Sequence, residues 1–292
     1  MNSIEHNANQ YAERLLKPEE AEQLKKVEFA ILKEIKKVCD KHDLQFFMIG
    51  GTLLGAVRHH GMIPWDDDID IGLLRKDYET FIKVAPKELP SYLFVSNYHT
   101  SDGAGEPFSK VMDMRGKMVE IFTATTKAPQ GIFVDVFPVD HVPDSKIKRA
   151  IHRFKNYELR KLILLEANYN FRKTGVKKIG YDVLKAYAKL RGRKSLVTAY
   201  EKNASKYERV PCKNVVVLGS NYGYEIENID TEAMSSVELV PFEDGQYPIP
   251  VGYERYLRKV YGDYMQLPPV EKRVNKHKLC ELDLSGINAL DI

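Results

Sequence analysis

An aspartate interrupts an apolar run, Phe133-Val134-Asp135-Val136-Phe137. The run predicts a buried β-strand, in which an uncompensated carboxylate would be costly. A second stretch, Asp68-Ile69-Asp70-Ile71, alternates polar and apolar residues as a half-buried strand does. On such a strand Asp68 and Asp70 share one face, while the isoleucines enter the core. We therefore expect Asp135 on a strand beside Asp68 and Asp70, where it completes a cluster of three carboxylates.

Two consecutive glycines precede these acids. Gly50 and Gly51 follow a short aromatic run at 45–49 and open a helix-like stretch at 52–58, which predicts a strand, a tight turn and a helix. Glycine permits a close backbone approach, and the N–H groups at a helix start suit phosphate. A glycine pair alone could equally be only a tight connection. Combined with the three acids, it matches the general pattern of nucleotidyltransferase-fold enzymes.

Crowded carboxylates repel one another and would take up protons unless a cation neutralises them. Magnesium prefers oxygen ligands and is commonly shared between carboxylates and substrate phosphates. We therefore expect Asp68, Asp70 and Asp135 to be both catalytic residues and metal ligands, with Mg²⁺ as the ion and Mn²⁺ as its alternative. The chemistry implied is attack on phosphorus. Asp66 and Asp67 admit a simpler interpretation, as solvated acids of a turn.

The rest of the chain predicts an α+β protein, with a nucleotidyltransferase-like mixed β-sheet flanked by helices. Apolar residues recur at spacings of three and four from Leu24 to Val38, which predicts a helix that begins near Pro18. Further helices are expected at 77–84 and 252–261. Further strands are expected at 92–96, 108–112, 119–122, 131–137, 214–218 and 247–251. We divide the chain into a catalytic core at 18–145, a basic helical insertion at 146–210 and a part at 211–292 that completes the catalytic domain.

Charge is distributed unevenly along the chain. Between residues 146 and 194 there are 16 lysines and arginines but only three acids, in a protein whose net charge is +3. The stretch has helical periodicity, carried by Ile147, Ile151 and Phe154 and later by Val183, Tyr187 and Leu190. It could dock on anionic lipid, bind an anionic polymer, or be a solvated helical face.

Several classes of protein are disfavoured. Residues 1–16 lack the apolar core of a signal peptide, and no run of about 18 apolar residues follows, so we expect a cytoplasmic protein, with peripheral contact at the inner face of the membrane as the lipid-docking alternative. Cys39, Cys212 and Cys280 are odd in number and widely spaced, which favours reduced thiols over a disulfide framework or a zinc site.

The motif residues resemble a known family. Residues 47–71, which read FMIGGTLLGAVRHHGMIPWDDDIDI, closely resemble the LicD family of phosphotransferases. Residues 131–140, GIFVDVFPVD, look like the second block of that family. Residues 261–265, YGDYM, with Pro268, Pro269 and His277, look like its closing block. The resemblance spans roughly residues 27–277, and the basic stretch is its least diagnostic part.

The resemblance implies transfer of phosphocholine from CDP-choline to a sugar of teichoic acid, lipopolysaccharide or a related bacterial glycan. Relatives that include the fukutin-related enzymes transfer ribitol phosphate from a CDP donor, so the donor is less certain than the reaction. In the same resemblance, Asp68 and Asp70 match the metal-binding acid pair of the family, and Asp135 matches its third acid. The phosphate-facing turn corresponds to Gly50, Gly51 and Thr52. The partners implied are a CDP-linked donor and a lipid-linked glycan acceptor.

Three further residues are candidates for substrate binding. Arg58 and Lys110 could stabilise phosphate charge, although a surface or ion-pair role is as good an explanation. Trp65 is the only tryptophan and lies just before the acids. It could stack on a base or face a quaternary ammonium group, but packing is the commoner role of a tryptophan.

Other functions remain open at this point. A true nucleotidyltransferase would leave the nucleoside monophosphate on the acceptor, and analysis of the products separates it from a phosphocholine or polyol-phosphate transferase. A basic nucleic-acid-binding protein would use residues 146–194. That function leaves the acid cluster unexplained, so we expect no nucleic-acid partner. A catalytically inactive, sugar-binding relative is disfavoured because all three acids are present.

Overall fold

A mixed seven-stranded β-sheet organises the chain. The computed structural model describes residues 13–169, 176–274 and 278–287. The strands of this part are β1 (Phe46–Met48), β2 (Asp70–Leu74), β3 (Leu93–Ser96), β4 (Ser109–Asp113), β5 (Lys117–Glu120), β6 (Ile132–Val142), β7 (Asn214–Val217), β8 (Ile229–Asp230), β9 (Val237–Phe242), β10 (Gly245–Pro250) and β11 (Leu279–Asp283). The α-helices are α1 (Pro18–Lys41), α2 (Gly50–His59), α3 (Arg75–Glu88), α4 (Lys146–Glu166), α5 (Val176–Arg191), α6 (Arg193–Ala204), α7 (Thr231–Met234) and α8 (Tyr253–Tyr261).

Strand β6 is the centre of the sheet. The strand order of the sheet is β1-β2-β6-β4-β3. Strand β2 runs parallel to β6, and the other pairs are antiparallel. The second half of β6 pairs with β7, which pairs in turn with β8. Strands from before and after the basic helices therefore belong to one sheet. Two smaller pairs, β9 with β10 and β5 with β11, lie outside it.

The helix α1 covers the sheet with the face that its sequence predicts. Leu24, Val27, Ile31, Ile35 and Val38 are all buried in the main hydrophobic core. The spacing of three and four places these side chains on one side of the helix, where burial of apolar surface stabilises the fold. The predicted α+β class is confirmed.

A buried ion pair joins α3 to the central strand. The guanidinium group of Arg75 donates to both carboxylate oxygens of Asp140, at 2.7 and 2.6 Å. Asp140 is fully buried and the Arg75 side chain is 9% exposed. Two parallel charge-assisted hydrogen bonds compensate both charges, and they fix the start of α3, which directly follows β2, against β6.

The basic stretch is helical, as predicted, and forms a second small core. Leu162, Ile163 and Leu165 of α4 pack there with residues of α5 and α6. The apolar residues that carry the periodicity lie elsewhere, because Ile147, Ile151, Phe154, Val183, Tyr187 and Leu190 are all exposed. Among the described residues, no helix combines the length and apolar character that crossing a membrane requires.

Four of the α-helices and β-strands in the described residues were not predicted from the sequence. They are the short strand β8, the single-turn helix α7, the largely exposed strand β9 and the strand β11. Strand β11 pairs with β5, about 160 residues earlier in the chain, and local pattern does not reveal such distant pairing. The strand expected from Asp68 begins only at Asp70, so Asp68 belongs to the preceding loop.

Candidate active site

The parallel pairing of β2 with β6 brings two of the predicted acids side by side. Asp70 is the register partner of Asp135, and the Asp135 N–H donates to the Ile69 carbonyl at 2.9 Å. Ile69 and Ile71 are fully buried, as their alternation with the acids predicts. Asp68, Asp70 and Asp135 all line one cavity of about 510 Å³. All three acids therefore line the same cavity, Asp70 and Asp135 as strand neighbours and Asp68 from the loop before β2. Among the described residues, the carboxylate group that lies within 4.8 Å is Asp66, Asp67 and Asp68, without Asp70 or Asp135.

The loop before β2 adds two more acids to this cavity. Asp66 and Asp67 line it, and carboxylate oxygens of Asp66, Asp67 and Asp68 lie within 4.8 Å of one another. Asp67 is only 2% exposed. Its interpretation as a solvated turn acid is therefore wrong, because the loop folds back over the end of the sheet and buries this side chain. The cavity is more acidic than three carboxylates alone would make it.

The glycine turn lies directly against the acids. A Cβ atom on Gly51 would fall 2.2 Å from a carboxylate oxygen of Asp66, and one on Gly50 would fall 3.1 Å from an oxygen of Asp70. Gly50 also has a φ of +56°, in the left-handed region that favours glycine. Any side chain at Gly51 would displace the Asp66 carboxylate. The glycine pair thus packs directly against the acids of the cavity.

The first turn of α2 holds the strand that carries Asp70. The Asp70 N–H donates to the Thr52 hydroxyl at 2.8 Å, and the Gly50 N–H donates to the Tyr256 hydroxyl at 3.2 Å. Thr52 is buried, so its hydroxyl positions Asp70. The N–H groups at the start of a helix have no carbonyl partner within the helix. Of the predicted phosphate-facing residues, Gly50 and Gly51 line the acidic cavity, whereas Thr52 does not.

Lys110 lies beside the third acid. Its ammonium nitrogen is 3.1 Å from an oxygen of Asp135 and 3.7 Å from an oxygen of Glu120. Burial raises the pKa of Asp135 to about 7, and the neighbouring ammonium group limits that rise. Burial opposes the charge of Lys110, but its carboxylate neighbours outweigh burial and raise its pKa. Lys110 therefore stays a cation inside the cavity.

The donor set fits the predicted ion. Carboxylate oxygens from two chain segments converge on one cavity, and oxygen is the ligand type that Mg²⁺ and Mn²⁺ favour. Proximity of Asp68 also raises the pKa of Asp135, after the larger effects of burial and Glu120, so the acids crowd one another electrostatically. A divalent cation would relieve that repulsion. Asp68, Asp70 and Asp135 could hold it, with Asp66 as a further ligand from the same loop.

Arg58 and Trp65 lie in a neighbouring cleft of about 690 Å³, which shares Gly51 and Asp66 with the acidic cavity. Arg58 donates to the carbonyl oxygen of Tyr264 at 2.8 Å. Trp65 has the guanidinium group of Arg273 over its ring, 5.3 Å from the centroid. A cation already occupies this ring face, which disfavours a quaternary ammonium group there. We will call this second site the Trp65 cleft.

Sequence analysis missed several residues of the acidic cavity. Glu106, Glu120, Arg160, Tyr222, Glu227 and Tyr256 all line it. Arg160 belongs to α4, so the basic helices contribute to the site instead of standing apart from it. Glu227 is 2% exposed and accepts hydrogen bonds from Ser220 and, at 3.4 Å, from Tyr256. Its sequence neighbours, Ile226 and Asn228, are one apolar and one polar residue and gave no clear signal of burial. The closing-block residue His277 lies outside the described residues.

The chain is similar to known transferases. Residues 43–166 match the family model described as LicD/FKTN/FKRP, nucleotidyltransferase domain. The lipopolysaccharide cholinephosphotransferase LicD of Haemophilus influenzae is 27% identical over 260 residues, which are 85% of this chain and 92% of that protein. The ribitol 5-phosphate transferases FKRP of Homo sapiens and Mus musculus are 42% identical over 40 residues, which are 14% of this chain and 8% of each relative. These similarities agree with the predicted resemblance to the LicD family.

The buried carboxyl group of Glu227 should make stability depend on pH. Burial raises its pKa from an ordinary value of 4.5 to about 7. Between these values the unfolded chain ionises first, so the free energy of unfolding falls as pH rises, by up to about 3 kcal/mol from this group. Glu227→Gln keeps the acceptor oxygen but cannot ionise. Urea unfolding should show that the variant gains stability relative to the parent between pH 5 and pH 8. An identical difference at both pH values would contradict the assignment.

Proposed function

We propose that this chain, whose residues 43–166 match the family model described as LicD/FKTN/FKRP, nucleotidyltransferase domain, transfers phosphocholine from CDP-choline to a sugar hydroxyl of a bacterial cell-surface glycan. The observation that carries the proposal is the register of Asp70 with Asp135 beside the glycine turn, in a cavity that Asp68 also lines. The similarity to a lipopolysaccharide cholinephosphotransferase over most of both chains supports phosphocholine as the group and a glycan as the acceptor. The acceptor is a lipopolysaccharide, a teichoic acid or another bacterial cell-surface glycan.

The reaction is a displacement at phosphorus. The acceptor hydroxyl oxygen attacks the phosphorus atom that bears choline, an O–P bond forms, and the bond from that phosphorus to the oxygen of CMP breaks. CMP leaves with the electron pair of the broken bond. Asp135, which lines the cavity beside Asp70, accepts the hydroxyl proton.

Asp68, Asp70 and Asp135 would hold the divalent cation. When bound, Mg²⁺ supplies charge stabilisation at the phosphate oxygens, which carboxylates alone would repel. The N–H group of Gly51, at the start of α2, would bind the donor diphosphate, and Thr52 would act by holding the Asp70 backbone. Lys110 adds a buried positive charge next to Asp135. These residues bind and orient the diphosphate in line with the acceptor hydroxyl.

We assign the Trp65 cleft to the acceptor sugar. It opens beside the acidic cavity through Gly51 and Asp66, so a hydroxyl held there can reach the acids. Trp65 provides an aromatic wall, and Arg58 and Arg273 provide hydrogen-bond donors. Arg58 would thus bind the acceptor sugar and not the phosphates of the donor. We propose that the acceptor is a lipid-linked glycan and that the enzyme acts on it in the cytoplasm, at the inner face of the cell membrane.

Transfer should depend on the acids and on the divalent ion. Purified protein is incubated with lipid-linked glycan extract, Mg²⁺ and a panel of CDP-choline, CDP-ribitol and CDP-glycerol, and the products are followed by mass spectrometry. We expect CMP release from CDP-choline and a phosphocholine mass on the glycan. Chelation with EDTA should abolish both. Asp70→Asn should lower the rate by at least about 10²-fold, whereas Asp40→Asn, an exposed carboxylate on α1, should leave it unchanged.

Other products would change the assignment. CMP release from CDP-ribitol or CDP-glycerol alone would keep the chemistry and replace the donor. Nucleoside monophosphate found on the glycan would identify a true nucleotidyltransferase. Full activity of Asp70→Asn would remove Asp70 from the mechanism.

The sole tryptophan allows the acceptor assignment to be measured without turnover. Fluorescence of Trp65 should change saturably when fragments of the acceptor glycan are added, because they bind next to its ring. Arg273→Ala should weaken that response, whereas Asp70→Asn should retain it. CDP-choline in EDTA should give little response. A saturable response to CDP-choline, with none to the glycan, would assign the cleft to the donor instead.

A further inference from the structure

The outer side of α4 carries a row of exposed apolar residues. Ile147, Ile151 and Phe154 are 75%, 52% and 65% exposed. Their spacing of four and three places them on one face of the helix. The opposite face of α4 is buried, through His152, Asn156 and Ile163. The row therefore belongs to the solvent side of the helix and is not an edge of the core.

The helix α5 repeats this arrangement. Its exposed row consists of Ile179, Val183, Tyr187 and Leu190, which are 66%, 64%, 49% and 88% exposed. The spacing of four, four and three again defines one face. Ala188 is fully buried on the other side, where α5 packs against α4 and α6. Both helices thus have two apolar sides, of which the protein core covers only one.

Positive charge surrounds the two rows. The segment from 146 to 194 contains 16 basic residues and three acids. Some of the basic groups are paired, such as Arg153 with Glu225 and Lys178 with Asp182. In the described part of the chain, Lys148 and Lys155 on α4 and Lys189 on α5 form no ion pair with a carboxylate. These lysines lie within a turn of the apolar rows.

We propose that the rows on α4 and α5 together form a docking face for an anionic lipid bilayer. Its apolar residues are Ile147, Ile151, Phe154, Ile179, Val183, Tyr187 and Leu190. Exposed aliphatic and aromatic side chains enter the boundary between headgroups and acyl chains, while the surrounding lysines attract anionic headgroups. The apolar rows and the lysines must be explained together. A helix that faces only water needs no row of exposed apolar residues, and a soluble polyanion would bind the lysines but would not bury the apolar side chains.

Charge also argues against a second copy of the chain as the occupant. Two such faces would bring together two segments that each carry a large excess of positive charge, and like charges repel at contact distance. A nucleic acid would satisfy the lysines but would leave the isoleucine, valine and leucine side chains in water. An anionic membrane surface satisfies both components of the face.

The same helix links the docking face to the active site. Arg160 and Leu164, in the second half of α4, line the acidic cavity. They follow Phe154 by six and ten residues, or about 9 and 15 Å along the helix axis. Docking through the first half of α4 therefore holds the cavity close to the bilayer surface, where a lipid-linked acceptor is presented. The docking face rests on its own observations and does not depend on the reaction proposed above.

Flotation of the full chain with vesicles tests the proposal. Vesicles of phosphatidylcholine alone are compared with vesicles that contain 30% phosphatidylglycerol, at 0.1 and 0.5 M NaCl. We expect the protein to float with the anionic vesicles, and only weakly with the neutral ones. A variant with Ile151→Ser, Phe154→Ser, Val183→Ser and Leu190→Ser should lose at least tenfold in partitioning. A matched control, Leu239→Ser with Val251→Ser, changes exposed residues elsewhere and should float as the parent does.

A second variant separates charge from apolar insertion. Lys148→Gln, Lys155→Gln and Lys189→Gln together should weaken binding and reduce its salt dependence, while circular dichroism confirms an unchanged helix content in every variant. Undiminished flotation of the apolar variant would overturn the proposal. So would equal binding of the parent to neutral and anionic vesicles. A concentration-dependent dimer in light scattering, lost only in the apolar variant, would instead assign the face to a second copy.

Discussion

The parallel pairing of β2 with β6 is the constraint on which the site depends. The hydrogen bond from the Asp135 N–H to the Ile69 carbonyl fixes the register, and the register sets Asp70 beside Asp135. A slip of one residue would turn the acids into the core and the isoleucines into the cavity. The buried pair of Arg75 and Asp140, farther along the same two chain segments, holds this register at its other end.

The glycine turn and the acids are built as one unit. Gly51 has no room for a side chain because the Asp66 carboxylate occupies that space, and Thr52 uses its buried hydroxyl to hold the Asp70 backbone. The glycine turn and the acids that we propose as metal ligands thus hold each other in place before any substrate arrives. Such prior organisation reduces the reorganisation that a charged transition state would otherwise require. Lys110 contributes by keeping a positive charge next to Asp135, a carboxylate whose charged form burial disfavours.

Much of this site could be predicted from sequence, because its parts lie in short motifs with a strict period. Alternation identified Ile69 and Ile71 as core residues, and the apolar surroundings of Asp135 identified it as a buried acid. Asp67, Glu227 and Tyr256 could not be identified, because their positions depend on how a loop folds back and on how distant segments meet. Helical periodicity correctly predicted α4 and α5. It could not show that their apolar rows face solvent, because a period reveals which residues share a face but not what covers that face.

The central claim is that Asp68, Asp70 and Asp135 form the metal site at which a nucleotide diphosphate binds. The most direct test is a crystal structure of the chain with Mn²⁺ and CDP-choline, with the metal located by anomalous scattering. The account predicts a manganese peak within coordination distance of these three carboxylates and a diphosphate that bridges the metal and the Gly50-Gly51 turn. A metal held by Asp66, Asp67 and Asp68 without Asp70 and Asp135, or a diphosphate bound away from the glycine turn, would contradict it.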